Sequence, residues 1–311
     1  MTDFLFSCAG LIILLIAGDI LVRGAVALSL RLGIPAIIVS LTVVAFGTSA
    51  PELLIAIKAA TEGYPGLALG NVIGSNTANV LLVLGVPALI SGLAIGSCAT
   101  RHSYLQMLAV TVVFIALCFL GPLHFIHGTI LLVLLVIMLV HAARIAGKAR
   151  KDTLADEIDE GVIHLPGWKV ALFLVLGLIG LPVGAHLLIE GATGVARAMG
   201  VSDAVIGLTL VAIGTSLPEL ATTVTAAIRR QADVAIGNVI GSNLFNLAGI
   251  IGIASFFAPL SVDGALLHYD IWIMLAATLA LIPFTIFCRD MSRLTGLVFV
   301  AAYVAYMVSL F

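Results

Sequence analysis

The stretch LTVVAFGTSAPEL at residues 41–53 decides the fold, because it occurs a second time as LTLVAIGTSLPEL at residues 208–220. A second pair of stretches follows at the same spacing, since GNVIGSNTAN at 70–79 recurs as GNVIGSNLFN at 237–246. Both pairs are 167 residues apart (208 minus 41 and 237 minus 70), and about half of the positions from 40 to 79 are identical to their partners. The chain therefore contains an internal duplication.

The composition indicates that the chain folds in a lipid bilayer. It has 311 residues, of which 62% are hydrophobic and 10% are charged, and its mean hydropathy is +1.25. A soluble domain is roughly a quarter charged, so this chain lacks the polar groups to cover a surface in water. A soluble enzyme, a secreted disulfide scaffold and a disordered protein are thereby excluded. The formal net charge of -2 shows no basic excess of the kind that binds nucleic acid. The expected partner is the lipid bilayer, and no obligatory protein partner is evident.

Apolar runs of about 20 residues are long enough to cross a bilayer as helices. They predict an all-α integral membrane protein with about ten transmembrane helices. The predicted spans are 4–22, 36–60, 67–91, 104–121, 123–143, 168–190, 203–228, 234–258, 269–287 and 294–311. One hydrophilic stretch separates two groups of five. We therefore predict a first five-helix repeat over 1–143, a linker over 144–167 and a second repeat over 168–311.

The basic residues predict how the spans are oriented. With ten spans, one side of the membrane collects Arg23, Arg31, Arg101, Arg144, Lys148, Arg150, Lys151, Lys169, Arg229, Arg230, Arg289 and Arg293, and the other only Lys58 and Arg197. Because Lys and Arg concentrate in cytoplasmic loops, both termini are predicted outside and the linker in the cytoplasm. The repeat offset spans five helices, an odd number, so the halves are predicted to be inverted repeats that meet at a midplane site.

Each copy of the first stretch places a proline and a glutamate near the middle of a predicted span. Proline removes a backbone donor and clashes with an earlier carbonyl, so both helices should kink and free carbonyls around 45–47 and 212–214. Hard oxygen donors lie on the same turn. They are Thr48, Ser49 and Glu52 in the first copy and Thr215, Ser216 and Glu219 in the second.

Two carboxylates at the bilayer centre need a neutralising partner. Each costs at least ~2.5–3.5 kcal/mol on insertion scales, and no lysine or arginine lies at comparable depth in these spans. The partner is then a bound cation or a proton. Ca²⁺ takes about 6–8 oxygen ligands and its two charges match two glutamates, Na⁺ accepts the same ligands, and Mg²⁺ fits less well because it holds its waters. Protonation stays open, because raising a glutamate pKa to 7 costs a similar free energy.

The second duplicated stretch supplies more neutral oxygens. Ser75 and Asn79 are four residues apart on one helical face, as are Ser242 and Asn246, and amide oxygens ligate cations without adding charge. Glycines in these stretches allow close helix approach. The remaining amides have two open readings, packing with hydrogen bonds or cation contact. They are Asn71, Asn76, Asn238 and Asn243.

With GTSAPE and GTSLPE followed by two copies of GNVIGSN, the chain resembles the Ca²⁺:cation antiporter superfamily and is most similar to its bacterial and archaeal sodium/calcium exchanger branch. The resemblance covers essentially the whole chain, since the family has ten helices in two inverted five-helix halves joined by a cytoplasmic loop. It implies an antiporter and not an enzyme, in a prokaryotic plasma (inner) membrane. No cofactor is implied, because Ca²⁺ and Na⁺ bind transiently as transported ions.

The resemblance also implies roles for individual residues. Glu52 and Glu219 would be shared ligands of Ca²⁺ and Na⁺. Further oxygens would come from Thr48, Thr215 and the carbonyls of Ala45 and Ala212, with Ser49, Ser216, Ser75 and Ser242 lining flanking Na⁺ positions and Asn79 and Asn246 the middle position. Well-characterised family exchangers tend to have aspartate at the place of Asn246, which puts a three-sodium stoichiometry in doubt and argues against a K⁺ requirement.

The expected function is exchange of Ca²⁺ for Na⁺ by alternating access, with the first and sixth helices sliding past a fixed bundle. The first alternative is a Ca²⁺/H⁺ antiporter that uses the same glutamates. The GNAxE motif of the proton-coupled branch is absent, which favours Na⁺. The second alternative is a cation channel. Channels usually place a symmetric pore between subunits, whereas this site would be built within one chain, so exchange is favoured.

Overall fold

A computed structural model describes residues 2–95, 100–156, 165–200, 214–264 and 266–310. Over these residues the chain is helical apart from two isolated bridges and short connections. The helices are α1 (Thr2–Leu32), α2 (Ala36–Thr48), α3 (Ala50–Thr61), α4 (Pro65–Ser91), α5 (Arg101–Phe119), α6 (Phe125–Asp156), α7 (Gly167–Ala198), α8 (Leu217–Ile228), α9 (Ala232–Phe257), α10 (Leu266–Thr285) and α11 (Arg293–Ser309).

Seven of the described helices are long and apolar enough to cross a membrane, and α2 with α3 makes an eighth if the bent pair is one span. Two predicted spans, 203–228 and 294–311, fall on α8 and α11, which are apolar but shorter. Residues 201–213 of the former span lie outside the described residues. The molecule is thus a multi-pass integral membrane protein whose described residues are nearly all helical.

Two helices extend well beyond their predicted spans. Helix α1 ends at Leu32 rather than near residue 22, because the intervening residues are mostly helix formers and the first terminator is Gly33, whose φ is +63°. Helix α6 continues to Asp156, into the stretch predicted as a linker. The predicted spans end at the first charged residues. A helix ends only where the backbone leaves helical dihedral angles, and charged residues do not require this.

Glycines bring α1 and α7 into backbone contact along most of their length. A Cβ on Gly10 would lie 2.4 Å from the Leu188 nitrogen, and one on Gly184 would lie 2.8 Å from the Leu14 nitrogen. Near the other end of the pair, a Cβ on Gly177 would lie 2.9 Å from the Leu21 Cα. Without a hydrophobic driving force between helices in lipid, such close approach supplies the packing energy. The two helices form one pair whose outer faces carry exposed Leu, Ile, Val and Phe side chains.

Helices α4 and α9 are the most buried of the candidate spans. Helix α9 packs directly on the backbone of α2, where a Cβ on Gly241 would lie 2.5 Å from the Leu41 carbonyl oxygen. The Ser40 hydroxyl donates to the Val234 carbonyl at 2.6 Å across the same contact. The glycines of the duplicated GNVIGSN stretch therefore allow the second half to touch the first at the duplicated motif.

Two short pairings join the connections of the two halves. Leu93 pairs with Met291 and Leu123 pairs with Leu260 in antiparallel bridges. Leu260 lies 167 residues after Leu93, and Met291 lies 168 after Leu123, so one bridge is the counterpart of the other within one residue. The duplication seen in the sequence is thus repeated in contacts far from the motifs.

We predict that Gly10→Ala lowers the apparent melting temperature in detergent, measured by loss of the monodisperse peak in size-exclusion chromatography after heating. Alanine normally favours a helix over glycine by about 1 kcal/mol, but overpacking at this contact costs about 1–3 kcal/mol. Gly66→Ala is the matched control, because nothing lies within 4 Å of a Cβ there. Equal melting of the two variants would contradict the backbone contact.

Candidate cation-binding site

Two helix breaks define the site. At Ser49 the backbone has φ -87° and ψ 5°, and at Ser216 it has φ -90° and ψ 4°. The first break bends α2 against α3 by 45°. Each serine begins a new helix with a proline in the opening positions and a glutamate in the first turn. The kink predicted from Pro51 is present as this bend, whereas most of the predicted span before Ser216 lies outside the described residues.

The two glutamates are fully buried without a basic partner. Glu52 and Glu219 are each 1% exposed, and their carboxyl groups interact electrostatically with one another. Within the described residues, neither forms an ion pair with a lysine, an arginine or a histidine. No third His, Cys, Asp or Glu side chain joins the pair in a group that could hold a metal ion, as far as the described residues extend. Further oxygens from this part of the chain therefore come from neutral groups.

Three helical segments converge on Glu219. Its Oε1 accepts a hydrogen bond from the Ser49 hydroxyl at 3.2 Å and one from the Ser242 hydroxyl at 3.5 Å. The Thr48 side chain also interacts with this carboxyl group. The break of the first copy is thereby joined to the glutamate of the second. The Ser216 hydroxyl, the counterpart of Ser49, is buried and has no hydrogen-bond partner in the described part of the chain.

Four asparagines join α4 to α9 through reciprocal hydrogen bonds. The Asn76 amide donates to the Asn243 carbonyl at 3.2 Å, and the Asn243 amide donates to the Asn76 carbonyl at 3.3 Å. The Asn79 amide donates to Oδ1 of Asn243, and the Asn246 amide donates to Oδ1 of Asn76, both at 3.0 Å. Each contact has a counterpart in which the two copies exchange roles. We call these four residues the amide tetrad.

The amide tetrad uses the nitrogen donors and leaves oxygens available. Oδ1 of Asn79 and Oδ1 of Asn246 are buried and have no partner among the described residues, and the same holds for one carboxylate oxygen of each glutamate. Both asparagines lie in π-helical turns, at 79–83 and 245–250, a feature that often marks functional sites. Buried oxygens are normally satisfied, so this set of unpartnered acceptors suits a hard cation.

The contacts distribute the twelve predicted site residues unevenly. They bring Thr48, Ser49, Glu52, Glu219 and Ser242 together, and they place Asn79 and Asn246 in the amide tetrad. The Ala45 carbonyl accepts the Thr48 hydroxyl at 3.3 Å. Ser75 is buried on α4, Ser216 is buried at the second break, and Thr215 is partly exposed beside it. Ala212 lies outside the described residues.

The amides with two open readings differ in their hydrogen bonds. Asn76 and Asn243 hydrogen bond to one another and orient their neighbours, which is the packing interpretation. The Asn238 amide donates to the Thr223 hydroxyl at 3.2 Å. Its counterpart Asn71 has a buried nitrogen without a partner in the described residues, because Ala56 occupies the position that corresponds to Thr223. The missing hydroxyl at residue 56 was the sequence signal for this difference.

Comparison with known proteins agrees with this geometry. The family model described as "Sodium/calcium exchanger protein" matches residues 2–144 and 169–311. The chain belongs to the sodium/calcium exchanger family. Its resemblance to that branch of antiporters is therefore confirmed, and the family consists of transporters rather than enzymes.

Relatives match over nearly their full length. The chain is 35% identical to "Putative antiporter CaxA" of Alkalimonas amylolytica, covering 99% of this chain and 98% of that protein. It is 32% identical to "Sodium/calcium exchanger MaX1" of Methanosarcina acetivorans, with coverage of 99% and 98%. Among solved structures, the sodium-calcium exchanger NCX_Mj superimposes with a TM-score of 0.82 and 31% identity, covering 100% of this chain and 99% of that one.

We predict that Asn243→Leu destabilises the protein by about 1–3 kcal/mol, because it leaves the Asn79 amide without its buried acceptor. The measurement is again the apparent melting temperature in detergent. Asn71→Leu is the control of identical chemistry, and it should leave the melting temperature unchanged or raise it, because its nitrogen has no partner to lose. A larger loss at residue 71 than at residue 243 would refute the role of the amide tetrad.

Proposed function

We propose that this protein exchanges Ca²⁺ for Na⁺ across the membrane as a secondary-active antiporter, by alternating access to one midplane carboxylate site. The observation that carries the proposal is the pair of buried glutamates without a basic partner, surrounded by neutral oxygens. The proposed ligand set contains Glu52, Glu219, Thr48, Thr215, Ser49, Ser216, Ser75, Ser242, Asn79 and Asn246, with the carbonyls of Ala45 and Ala212. The ions are cargo, and no resident cofactor is invoked.

Charge explains why the two ions would compete. Two carboxylates carry two negative charges, which one Ca²⁺ or two Na⁺ would neutralise. An empty, doubly charged site would meet a high free-energy barrier to conformational change in a low-dielectric environment, because its charges would be desolvated without compensation. Only the loaded site would then change access readily, and this requirement couples the flux of one ion to that of the other.

The architecture that we propose has ten spans in two inverted five-helix repeats, 1–143 and 168–311, joined by a linker over 144–167. Support comes from the reciprocal hydrogen bonds of the amide tetrad and from the paired bridges at Leu93 and Leu123, which are contacts that a two-fold axis produces. The two matched segments of the family model divide at the same place. The basic residues favour termini outside and a cytoplasmic linker. The similarity to bacterial and archaeal relatives favours a prokaryotic plasma (inner) membrane.

The proposed movement is a slide of the α1–α7 pair along the remaining bundle. Its contact with α2 and α8 includes a small apolar cluster with Val39, Val44 and Ala221, separate from the large core around α4 and α9. Apolar surfaces of this kind have no directional bonds that fix one position. The ion pair between Asp19 and Arg229 also joins α1 to the end of α8, so a slide would have to break or carry this bond. The glutamates lie on α3 and α8, so they would stay with the bundle while the pair moves.

We expect Na⁺-loaded proteoliposomes diluted into Na⁺-free buffer to accumulate radioactive Ca²⁺, and Glu52→Gln and Glu219→Gln each to abolish this uptake. Each substitution removes one of the two charges that hold the cation while keeping the side-chain volume. Glu62→Gln is the matched control, because Glu62 is an exposed carboxylate that pairs with Lys58 at the end of α3. It should keep wild-type uptake.

The same vesicles separate the alternative functions. Uptake driven by a pH gradient and not by Na⁺ would replace the proposal with Ca²⁺/H⁺ exchange. Ca²⁺ entry that needs no counter-ion would indicate a cation channel. Activity retained in both glutamate variants would remove the carboxylate site from the mechanism.

We further expect exchange to be independent of K⁺. The described site has two buried carboxylates, with Asn79 and Asn246 supplying neutral oxygens at the middle level, so it lacks the extra negative charge that another cation would require. Replacing all K⁺ by choline should leave the initial rate of Na⁺-driven Ca²⁺ uptake unchanged. A rate that falls in proportion to K⁺ would show that the charge count is incomplete.

A further inference from the structure

A cavity of about 390 Å³ lies away from the glutamates, where α1, the start of α7 and the end of α8 meet. Three arginines line it: Arg23 and Arg31 from α1, and Arg229 from the residue that follows α8. All three are predicted to lie on the same side of the membrane, which is the side with most of the lysine and arginine residues. Two come from α1 and one from the end of α8, and together they give the cavity a cationic rim.

The rim keeps a net positive charge after internal pairing. Asp19 accepts from Arg23, with 3.0 Å between Nε and Oδ2, and it also forms a close ion pair with Arg229. Arg31 forms no ion pair within the described residues. Three guanidinium groups and one carboxylate leave a formal charge of +2 (3 minus 1), and several N–H donors remain for an anion.

The rest of the cavity lining is mostly apolar. It includes Val22, Val26, Leu30 and Phe173, which are side chains that suit a hydrocarbon chain. A free inorganic anion would use the rim and gain nothing from this surface. An amphiphile with an anionic headgroup and an acyl chain would bind through both. Its phosphate would accept hydrogen bonds from the guanidinium groups, and its acyl chain would be buried against the apolar side chains.

The residues next to the cavity are those that typically occur at the depth of the lipid headgroups. Arg31 is in the last turn of α1, and its guanidinium lies against Gly167 at the start of α7, where a Cβ would be 3.0 Å from Cζ. The next residues are an exposed Trp168 and Lys169, whose Nζ lies 5.5 Å from the indole centroid. Tryptophan and lysine at a helix end are typical of the membrane–water interface.

We propose that this cavity binds an anionic phospholipid, with the phosphate on the arginine rim and an acyl chain along the apolar wall. Basic pockets between transmembrane helices are suited to such headgroups. The bound lipid would bridge the α1–α7 pair to the end of the helix that carries Glu219. Net charge selects for the anionic class, because the cationic headgroup of a zwitterionic lipid would be repelled by the rim.

The chain offers a built-in fluorescent probe for the test. It has two tryptophans, and Trp272→Phe leaves only Trp168, which adjoins the contact between Gly167 and Arg31. This variant is reconstituted in phosphatidylcholine containing a small fraction of brominated phosphatidylglycerol, and separately with the bromine on phosphatidylcholine. Bromine quenches tryptophan at short range. We expect phosphatidylglycerol to be preferred near Trp168 by roughly fivefold or more.

Two further variants in the Trp272→Phe background identify the cause. Arg23→Gln with Arg31→Gln should abolish the preference while Arg229 keeps its pair with Asp19. Arg144→Gln, an exposed arginine of α6 outside the cavity, should keep it. Equal quenching by both brominated lipids, or an equal loss in the Arg144 variant, would overturn the proposal. A preference removed by millimolar inorganic phosphate would assign the rim to a soluble anion instead of a lipid.

Discussion

The rest of the structure depends on two buried carboxylates that interact electrostatically and have no basic partner among the described residues. Their cost in a membrane is at least several kcal/mol, so the fold must surround them with polarity that water would otherwise supply. The helix breaks do part of this. Ser49 and Ser216 each directly precede the first turn of a helix, which places each glutamate near the positive end of a helix dipole. The helix breaks, the buried hydroxyls and the amides therefore all place polar groups around the two carboxylates.

The amide tetrad fixes the orientation of the amide oxygens in the site. An asparagine side chain can turn either its oxygen or its nitrogen toward a site, and only the oxygen serves a cation. Because the nitrogens of Asn79 and Asn246 donate across to Asn243 and Asn76, their oxygens remain free. The same bonds hold α4 to α9 in one register. A buried network that is largely satisfied in this way rigidifies the core around it, which suits a bundle that is proposed to stay still while the α1–α7 pair moves.

The sequence predicted the features that local chemistry determines, and it missed those that depend on distance across the chain. Pro51 and Pro218 predicted the breaks, the duplicated glutamates predicted a buried acidic pair, and the apolar runs predicted a multi-pass helical protein. The ends of α1 at Leu32 and of α6 at Asp156 were not predicted, because both helices continue past the charged residues at which the predicted spans end. The bonds between Asn76 and Asn243 could not be predicted, because periodicity places residues on a helix face and says nothing of which face opposes it.

Identical motifs in this chain have non-identical surroundings. The Ser49 hydroxyl reaches Glu219, whereas its counterpart Ser216 has no partner in the described residues. In the proposed mechanism this inequality is required. A two-fold relation between inverted halves that was obeyed perfectly would expose the site equally to both sides of the membrane. Access to one side needs one half to differ from the other, and access to the opposite side follows when the halves exchange conformations. In that mechanism the sequence duplication would make the two states comparable in free energy, and the exchange would change the hydrogen bonding of Ser49 and Ser216.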